Sequence, residues 1–369
     1  MPIKILFFIE NLRGGGAEKV LCDLVNRMDQ NRFAITLQTL WKADAAQFLK
    51  PGIRYRYCYS DKGTWNNLRS RLEAAAGWTY PLHIKGDYDI EVAYLECGTT
   101  KILAGSTNKH AKKLAWVHCN LNKAMPDPQD FAKRTAAWYE KYDRIVCVSQ
   151  SVKENFDALF GNRFDSVVLR NVIDDEQIRS LSQADLPMPQ TDGLPVLCAV
   201  GRLAEPKNYL RLLRAHRQLL SEGLTHRLWI VGEGPERPKL EAFLAGNELQ
   251  TSVTLAGFQS NPYPYMAQSD LLVCSSDYEG LSTFVSEGLV LGKPIVTTNC
   301  GGMDELLGAS EYGLITANHD SDFTDGLRRM LQDVQLRSAY AQKAKARGEA
   351  LSAASQMKTV EQFFLQLLN

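Results

Sequence analysis

The stretch Asp277-Tyr-Glu-Gly-Leu-Ser-Thr-Phe-Val-Ser-Glu-Gly-Leu-Val-Leu-Gly-Lys-Pro-Ile-Val-Thr-Thr-Asn-Cys-Gly-Gly-Met-Asp-Glu-Leu-Leu307 constrains this chain more than any other. It follows Asp270-Leu-Leu-Val-Cys-Ser275, a short apolar run between polar residues that suits a strand buried on both faces of a parallel sheet. In open α/β sheets ligands bind outside the carboxyl ends of the strands, which is where Glu279-Gly280 falls, ahead of a helix expected from about Thr283 to Leu291. The unpaired N–H groups and the dipole of such a helix favour an anion. Glu287 sits inside the helix about two turns from Glu279. Two carboxylates flanking a phosphate-sized anion site suggest a polyhydroxylated ligand, because one carboxylate accepts both hydrogens of a vicinal diol.

Glu279, seven residues, Glu287, then Gly288 and Gly292-Lys-Pro-Ile-Val, resembles the signature of the retaining nucleotide-sugar glycosyltransferases of family 4. Two acids at that spacing mean little alone and on a helix usually mark a solvated face. The order Glu-Gly, helix, Leu-Gly-Lys-Pro, Gly301-Gly302 and Glu305 makes the resemblance specific. In this loop and helix Ser282 stands where many members have proline or glycine, and Gly288 where alanine is common; both are small and should leave the loop intact.

A chain of 369 residues is expected to form two domains. With 45% hydrophobic and 23% charged residues it reads as an ordinary globular protein. No apolar run reaches the length of a membrane span, and Met1-Pro2-Ile-Lys leads straight into a strand, so a cytoplasmic location is expected. Eight cysteines without a Cys-x-x-Cys pair imply reduced thiols and no zinc site. The net charge is zero, yet residues 1 to 171 hold 25 Lys and Arg against 18 Asp and Glu. That basic half suits an anionic surface or substrate, or reflects drift alone.

Ile3 to Ile9 reads as a strand, Gly14-Gly15-Gly16 as a turn, and Ala17, Val20, Leu21, Leu24, Val25 and Met28 as the apolar face of a helix. The glycines let backbone approach a ligand closely, or simply turn the chain. The spacing is not G-x-G-x-x-G, and no acidic residue ends a clear second strand, which argues against a dinucleotide site. Phe33 to Leu40, Tyr88 to Leu95, Lys113 to His118 and Arg144 to Ser149 read as further parallel strands. Arg54 to Gly86 mixes cations with Trp65, Trp78 and Tyr80, as interfacial segments do; an exposed loop or a piece of core is the alternative. Lys101, Lys109, His110, Lys112 and Lys113 form a second basic cluster. His118, at a strand end, is either structural or functional; its position matches the family's Trp-x-His, which implies a hydrogen bond to the primary hydroxyl of the donor hexose.

Val167 to Asp174 resembles the family's strand ending in Asn-x-x-Asp, and Ser180 to Gly193, with Pro187 and Pro189, reads as the connection between domains. Pro195 to Val200 is a buried strand followed by Gly201-Arg202-Leu203 and Lys207-Asn208, ahead of a helix carrying Leu210, Leu213 and Leu220. Arg supplies a fork for phosphate oxygens and Lys a point charge, so Arg202 and Lys207 could hold a diphosphate. Leu228 to Gly232, with Glu233-Gly234-Pro235, and Ser252 to Gly257-Phe258 are strand-to-helix turns that, by the resemblance, border the nucleotide base.

The resemblance covers nearly the whole chain, strongest from Gly201 to Leu307. It implies an α/β GT-B fold, two Rossmann-like doubly wound parallel-sheet domains facing a central cleft. The acceptor-side domain would span 1–178, the donor-binding domain 194–354, and a helix at 355–369 would pack back on the first. The implied activity moves a hexosyl group from a nucleoside diphosphate sugar, a UDP-sugar by preference, to a glycan or lipid-linked acceptor with retained anomeric configuration, in surface polysaccharide or lipopolysaccharide synthesis. Glu279, Arg202, Lys207 and His118 would be catalytic. Glu287, Gly15, Gly16, Gly201, Gly232, Gly257, Phe258, Gly280, Leu281, Ser282 and Thr283 would bind the donor. Neither a metal nor another cofactor is expected, and no nucleic acid; contact with an anionic membrane on its inner face is. A GT-B epimerase or phosphorylase, or a non-catalytic nucleotide-sugar-binding protein, remains the alternative.

Overall fold

The computed structural model describes residues 1–12, 15–185 and 193–368; Gly14 of the glycine turn and most of the proline-bearing connection, including Pro187 and Pro189, lie outside them. The chain divides into two compact units, one of Met1–Val172 with Ala354–Asn369 and one of Ile173–Ala353. The division thus falls at 172, so that residues 173–178 group with the second unit.

The first unit is built on seven parallel strands: β1 (Ile3–Ile9), β2 (Phe33–Trp41), β3 (Arg54–Tyr59), β4 (Ile90–Ala93), β5 (Lys112–Val117), β6 (Arg144–Cys147) and β7 (Ser166–Val168), in the order β3-β2-β1-β4-β5-β6-β7. β1 lies inside the sheet with its last five residues fully buried, which is why it reads as a continuous apolar run and not an alternating one. The helix Gly16–Arg27 buries Val20, Leu21, Leu24 and Val25, the face that its three-and-four spacing marks. The stretch with no clear reading, 54–86, forms β3 and two helices, Thr64–Ala75 and Thr79–His83. The last helix, Ala353–Leu367, docks Phe364 edge-on against Phe7 and Phe33, and Glu361 accepts from the Asp29 N–H and Arg32 Nη1, each at 2.9 Å.

The second unit has six parallel strands: β8 (Val196–Val200), β9 (Arg227–Val231), β10 (Val253–Gly257), β11 (Leu271–Cys274), β12 (Ile295–Thr298) and β13 (Leu314–Thr316), in the order β10-β9-β8-β11-β12-β13. The helix Tyr209–Ser221 puts Leu212, Leu213 and Leu219 into the core over β8 and β9, with Leu210 and Leu220 at its margin. All eight cysteines are free thiols. No described helix is long and apolar enough to cross a membrane.

The helix Thr283–Val290 is buried along its whole length after Thr283, because it is pressed between the sheet and the helix Val334–Ala350. Two glycines permit this approach. A Cβ on Gly288 would come within 2.5 Å of Leu272 Cδ1, a yielding side-chain end, whereas one on Gly348 would lie 2.2 Å from the Leu289 carbonyl oxygen, which cannot yield. Gly348→Ala should therefore cost about 1–3 kcal/mol of stability. Gly246→Ala, where an added Cβ meets nothing within 4 Å, should cost none. Urea denaturation of the two variants tests this, and equal midpoints would contradict it.

Candidate active site

In each sheet the strand order reverses at one place, and there the connections on either side diverge and leave a crevice. In the second unit that point lies between β8 and β11. The loop after β8 carries Gly201, Arg202 and Lys207; the loop after β11 carries Ser275, Ser276, Asp277 and Glu279. Lys207 Nζ meets Glu279 Oε1 at 2.5 Å, and Ser276 Oγ donates to the same oxygen at 2.7 Å. The lysine side chain is 29% exposed and the carboxylate 12%. Burial opposes the charge on Lys207, but the Glu279 carboxylate overcomes it and holds the ammonium above the ordinary lysine range. A small depression beside the pair is lined by Lys207, Tyr209, Cys274, Ser276, Ser282 and Phe284.

Three strand ends make the floor of this region. Gly201 N–H donates to Val231 O at 2.9 Å and Gly232 N–H to Gly257 O at 2.8 Å, so the turns after β8, β9 and β10 lie side by side. Gly232 has a φ of +146° and a Cβ there would stand 2.0 Å from Gly201 O, so only glycine closes this contact. The stem of Lys207 lies 3.6 Å from the place of a Cβ on Gly201. Arg202 is exposed, and its guanidinium has no hydrogen bond or ion pair among the described residues. Phe258, next to Gly257, is 64% exposed, an unusual state for a phenyl ring.

The β11 loop is fastened on both sides. Glu279 N–H donates to Cys300 O at 2.6 Å, Thr298 Oγ1 donates to Ser276 O at 2.5 Å, and Gly302, at φ +66°, leaves room for Gly280 O, which a Cβ would meet at 2.6 Å. From the other side Asn208 Nδ2 donates to both carboxylate oxygens of Asp277 at 3.1 Å, and Ser275 Oγ donates to Lys207 O at 2.8 Å. Arg211, only 6% exposed, reaches Asp277 at 3.1 Å, Asp320 at 2.8 Å and Asn318 Oδ1 at 2.6 Å. Ser282 caps the helix Thr283–Val290 by accepting from Val285 N–H at 3.4 Å, with Leu281 buried beside it. Glu287 is 5% exposed, and Tyr263 Oη donates to it at 3.1 Å. Glu279 and Lys207 thus meet directly, whereas Glu287 sits deeper, on the helix.

In the first unit the reversal lies between β1 and β4. Gly15 caps the helix Gly16–Arg27 after β1, and a Cβ on it would strike the Glu18 carboxylate at 2.2 Å. His118, just past β5, donates its N–H to Glu96 Oε2 at 3.1 Å, and Cys119 Sγ donates to Glu96 Oε1 at 3.0 Å. The imidazole packs at an incline against Tyr94, ring centres 4.7 Å apart, and its Nε2 is buried without a partner. Burial pushes its pKa down to about 4 against the pull of Glu96, so the ring is neutral at physiological pH. A neutral imidazole with an unpartnered nitrogen suits a hydroxyl ligand. Among the described residues no three His, Cys, Asp or Glu side chains gather as metal ligands.

Glu96, Asn208, Arg211, Ser276, Asp277 and Tyr263 are absent from the sequence-based site. Of these only Asn208 carries a legible signal, a cap residue just before an apolar helix; its side chain accepts from Arg211 N–H at 3.2 Å.

Residues 194–333 match the family model described as "Glycosyl transferases group 1". Over 218 residues the chain is 34% identical to the N-acetylgalactosamine-N,N'-diacetylbacillosaminyl-diphospho-undecaprenol 4-alpha-N-acetylgalactosaminyltransferase of Campylobacter jejuni, covering 58% of this chain and 57% of that protein. It is 27% identical over 233 residues to the lipopolysaccharide core biosynthesis glycosyltransferase LpsE of Rhizobium meliloti, covering 63% of this chain and 66% of the relative. The chain thus spans under two thirds of the length of these relatives. Anabaena HepE, solved in complex with UDP and glucose, superposes with a TM-score of 0.78 at 18% identity over 99% of this chain and all of that one. Sucrose-phosphate synthase of Thermosynechococcus elongatus gives 0.80 at 16% identity over 99% of each chain. At such identities the likeness is one of fold: two Rossmann-like, parallel-sheet domains of the GT-B type.

The pair at the crevice makes a test of its own. In Glu279→Gln the Lys207 ammonium keeps its burial and loses its carboxylate, which should cost about 1–3 kcal/mol. The pH dependence should also change. In the wild type the raised Lys207 pKa gives a contribution that is complete below the unfolded lysine value of about 10.4 and lost only above it, so stability from this pair is flat from about pH 7 to 10. In the variant burial has lost its main counterweight, so the pKa should fall, and stability should rise as pH climbs toward that value. Urea denaturation at both ends of this range decides; a variant as stable as wild type at each pH would contradict the assignment.

Proposed function

We propose that this protein is a glycosyltransferase that moves a hexosyl group from a nucleoside diphosphate sugar, a UDP-sugar by preference, to a hydroxyl of a glycan or lipid-linked acceptor, with retention, in the synthesis of a surface polysaccharide or lipopolysaccharide. The observation that carries this reading is the Lys207–Glu279 pair at the β8/β11 reversal, a cation and a carboxylate held side by side at a strand-end crevice. Support comes from the names of the similar proteins, which include glycosyltransferases of lipid-linked and lipopolysaccharide sugars.

In this reading departure of the nucleoside diphosphate, as positive charge grows at the anomeric carbon, is the hard step. Lys207 and Arg202 neutralise the leaving diphosphate, with N–H groups at Ser282 and Thr283 adding to them. Glu279 orients hydroxyls of the sugar and Glu287 the ribose diol, while the turns at Gly201, Gly232, Gly257 and Phe258 border the nucleotide. His118, neutral, binds a sugar hydroxyl, and Gly15 and Gly16 give a ligand close access to backbone. No metal is required, because the two side-chain cations supply the charge. The protein would work in the cytoplasm, its basic first 171 residues meeting the anionic face of the membrane where a lipid-linked acceptor resides.

Release of nucleoside diphosphate, followed with and without acceptor, tests the proposal. Arg202→Ala and Lys207→Ala should each lower kcat/KM on the order of a hundredfold. Glu279→Ala should act mainly on kcat and Glu287→Ala mainly on KM for the donor, and turnover should persist in chelator. Wild-type rates in the Lys207 variant, or activity lost in chelator and restored by magnesium or manganese, would overturn the assignment.

A further inference from the structure

The helix Thr64–Ala75 is folded inside out. The side turned toward the unit is polar: Ser70 and Glu73 are buried, and Asn66 and Asn67 are half-buried. Glu73 accepts from Tyr59 Oη and Arg69 Nε, each at 2.6 Å, and meets His83 Nε2 at 2.7 Å. This polar anchor does the work that an apolar face does in an ordinary surface helix. The apolar residues, Trp65, Leu68 and Leu72, fall at i, i+3 and i+7, one stripe of a helix, and that stripe is outside, with exposures of 81, 48 and 62%. Trp78 and Leu82, at the start and within the next short helix, are 62 and 50% exposed. One exposed leucine needs no explanation; two tryptophans and three leucines within eighteen residues do.

The charge around them is predominantly basic. Residues 54–86 contain six Lys and Arg against two Asp and Glu, and one of the two acids is the buried Glu73. Arg54 and Arg71 are exposed, and their guanidinium groups have no hydrogen bond or ion pair among the described residues. A second copy of this chain is a poor occupant, since a twofold contact would set the same basic rim against itself. Tryptophan and leucine on one stripe with arginine beside it is the make-up of a helix that lies in the headgroup layer of an anionic membrane.

We propose that Thr64–His83 is a membrane-seating element, with Trp65, Leu68, Leu72, Trp78 and Leu82 entering the boundary between headgroups and acyl chains and Arg54 and Arg71 meeting lipid phosphates. This rests on the membrane contact named under Proposed function and narrows it from a general basic charge to one surface. Co-sedimentation with vesicles of equal parts phosphatidylglycerol and phosphatidylcholine, against phosphatidylcholine alone, tests it. Wild type should bind the anionic vesicles with a blue shift of tryptophan emission. The double variant Trp65→Gln/Leu72→Gln should partition at least about tenfold less, since each residue loses the burial of a large apolar side chain, while melting at the wild-type temperature. Arg54→Gln/Arg71→Gln should weaken binding to the anionic vesicles and flatten its salt dependence. If wild type binds and the Trp65/Leu72 variant binds equally, this surface is the wrong one although the broader membrane contact stands. Failure of wild type to bind either vesicle overturns both. A solution dimer that the same double variant dissolves would show the face to be a self-association surface and would overturn the proposal.

Discussion

The candidate site depends first on a buried guanidinium. Arg211 is nearly sealed from solvent yet holds Asp277, Asp320, Asn318 and the Ser275 carbonyl. A charge in that position is tolerated only when its donors are satisfied; Ser275, Asp277 and Asn318 lie on loops at the carboxyl ends of strands, and Asp320 opens the helix that follows the last of these loops. The arginine therefore ties the loop after β11 to the start of the helix after β8. Lys207, four residues before it, and Glu279, two residues after Asp277, meet at 2.5 Å as a consequence. The pairing is a property of the framework.

Glycine does a related task at the backbone level. Gly232 against Gly201 O, Gly302 against Gly280 O and Gly348 against Leu289 O are approaches that a methyl group would prevent. The first two bring the turns after β8 and β9, and the loops after β11 and β12, together in pairs, and the third lets the helix Val334–Ala350 pack closely on the helix bearing Glu287. A surface for a flat, charged ligand made of backbone and small side chains needs such close approach, and large residues beside these positions would keep the loops apart.

Much of this was legible in the residues. Most strands of both units read correctly because parallel strands buried on both faces are continuous apolar runs, and the helix after β1 because its period is clean, whereas β3 and the three-residue β13 had no such reading. Glu279 and Lys207 could be picked out because each follows an apolar strand run and stands just ahead of a helix, where ligands meet an α/β sheet. Arg211 could not, since periodicity treats an arginine inside a helix as a solvated side chain, and its burial is set by contacts more than sixty residues away in sequence. Glu96 and Tyr263 escaped because their partners come from other elements, 22 to 24 residues away in sequence. The 54–86 stretch resisted assignment because its helix breaks the rule on which such reading rests, turning polar residues inward and apolar ones outward.

In the proposed reading the β8/β11 reversal binds a nucleoside diphosphate through Lys207. Calorimetric titration of UDP into wild type and into Lys207→Ala, both in the presence of chelator, tests it most directly. The account predicts saturable binding to wild type and a loss of at least about tenfold in affinity in a variant that remains folded. Equal affinity in the two proteins, or binding that appears only when a divalent cation is added, would contradict it.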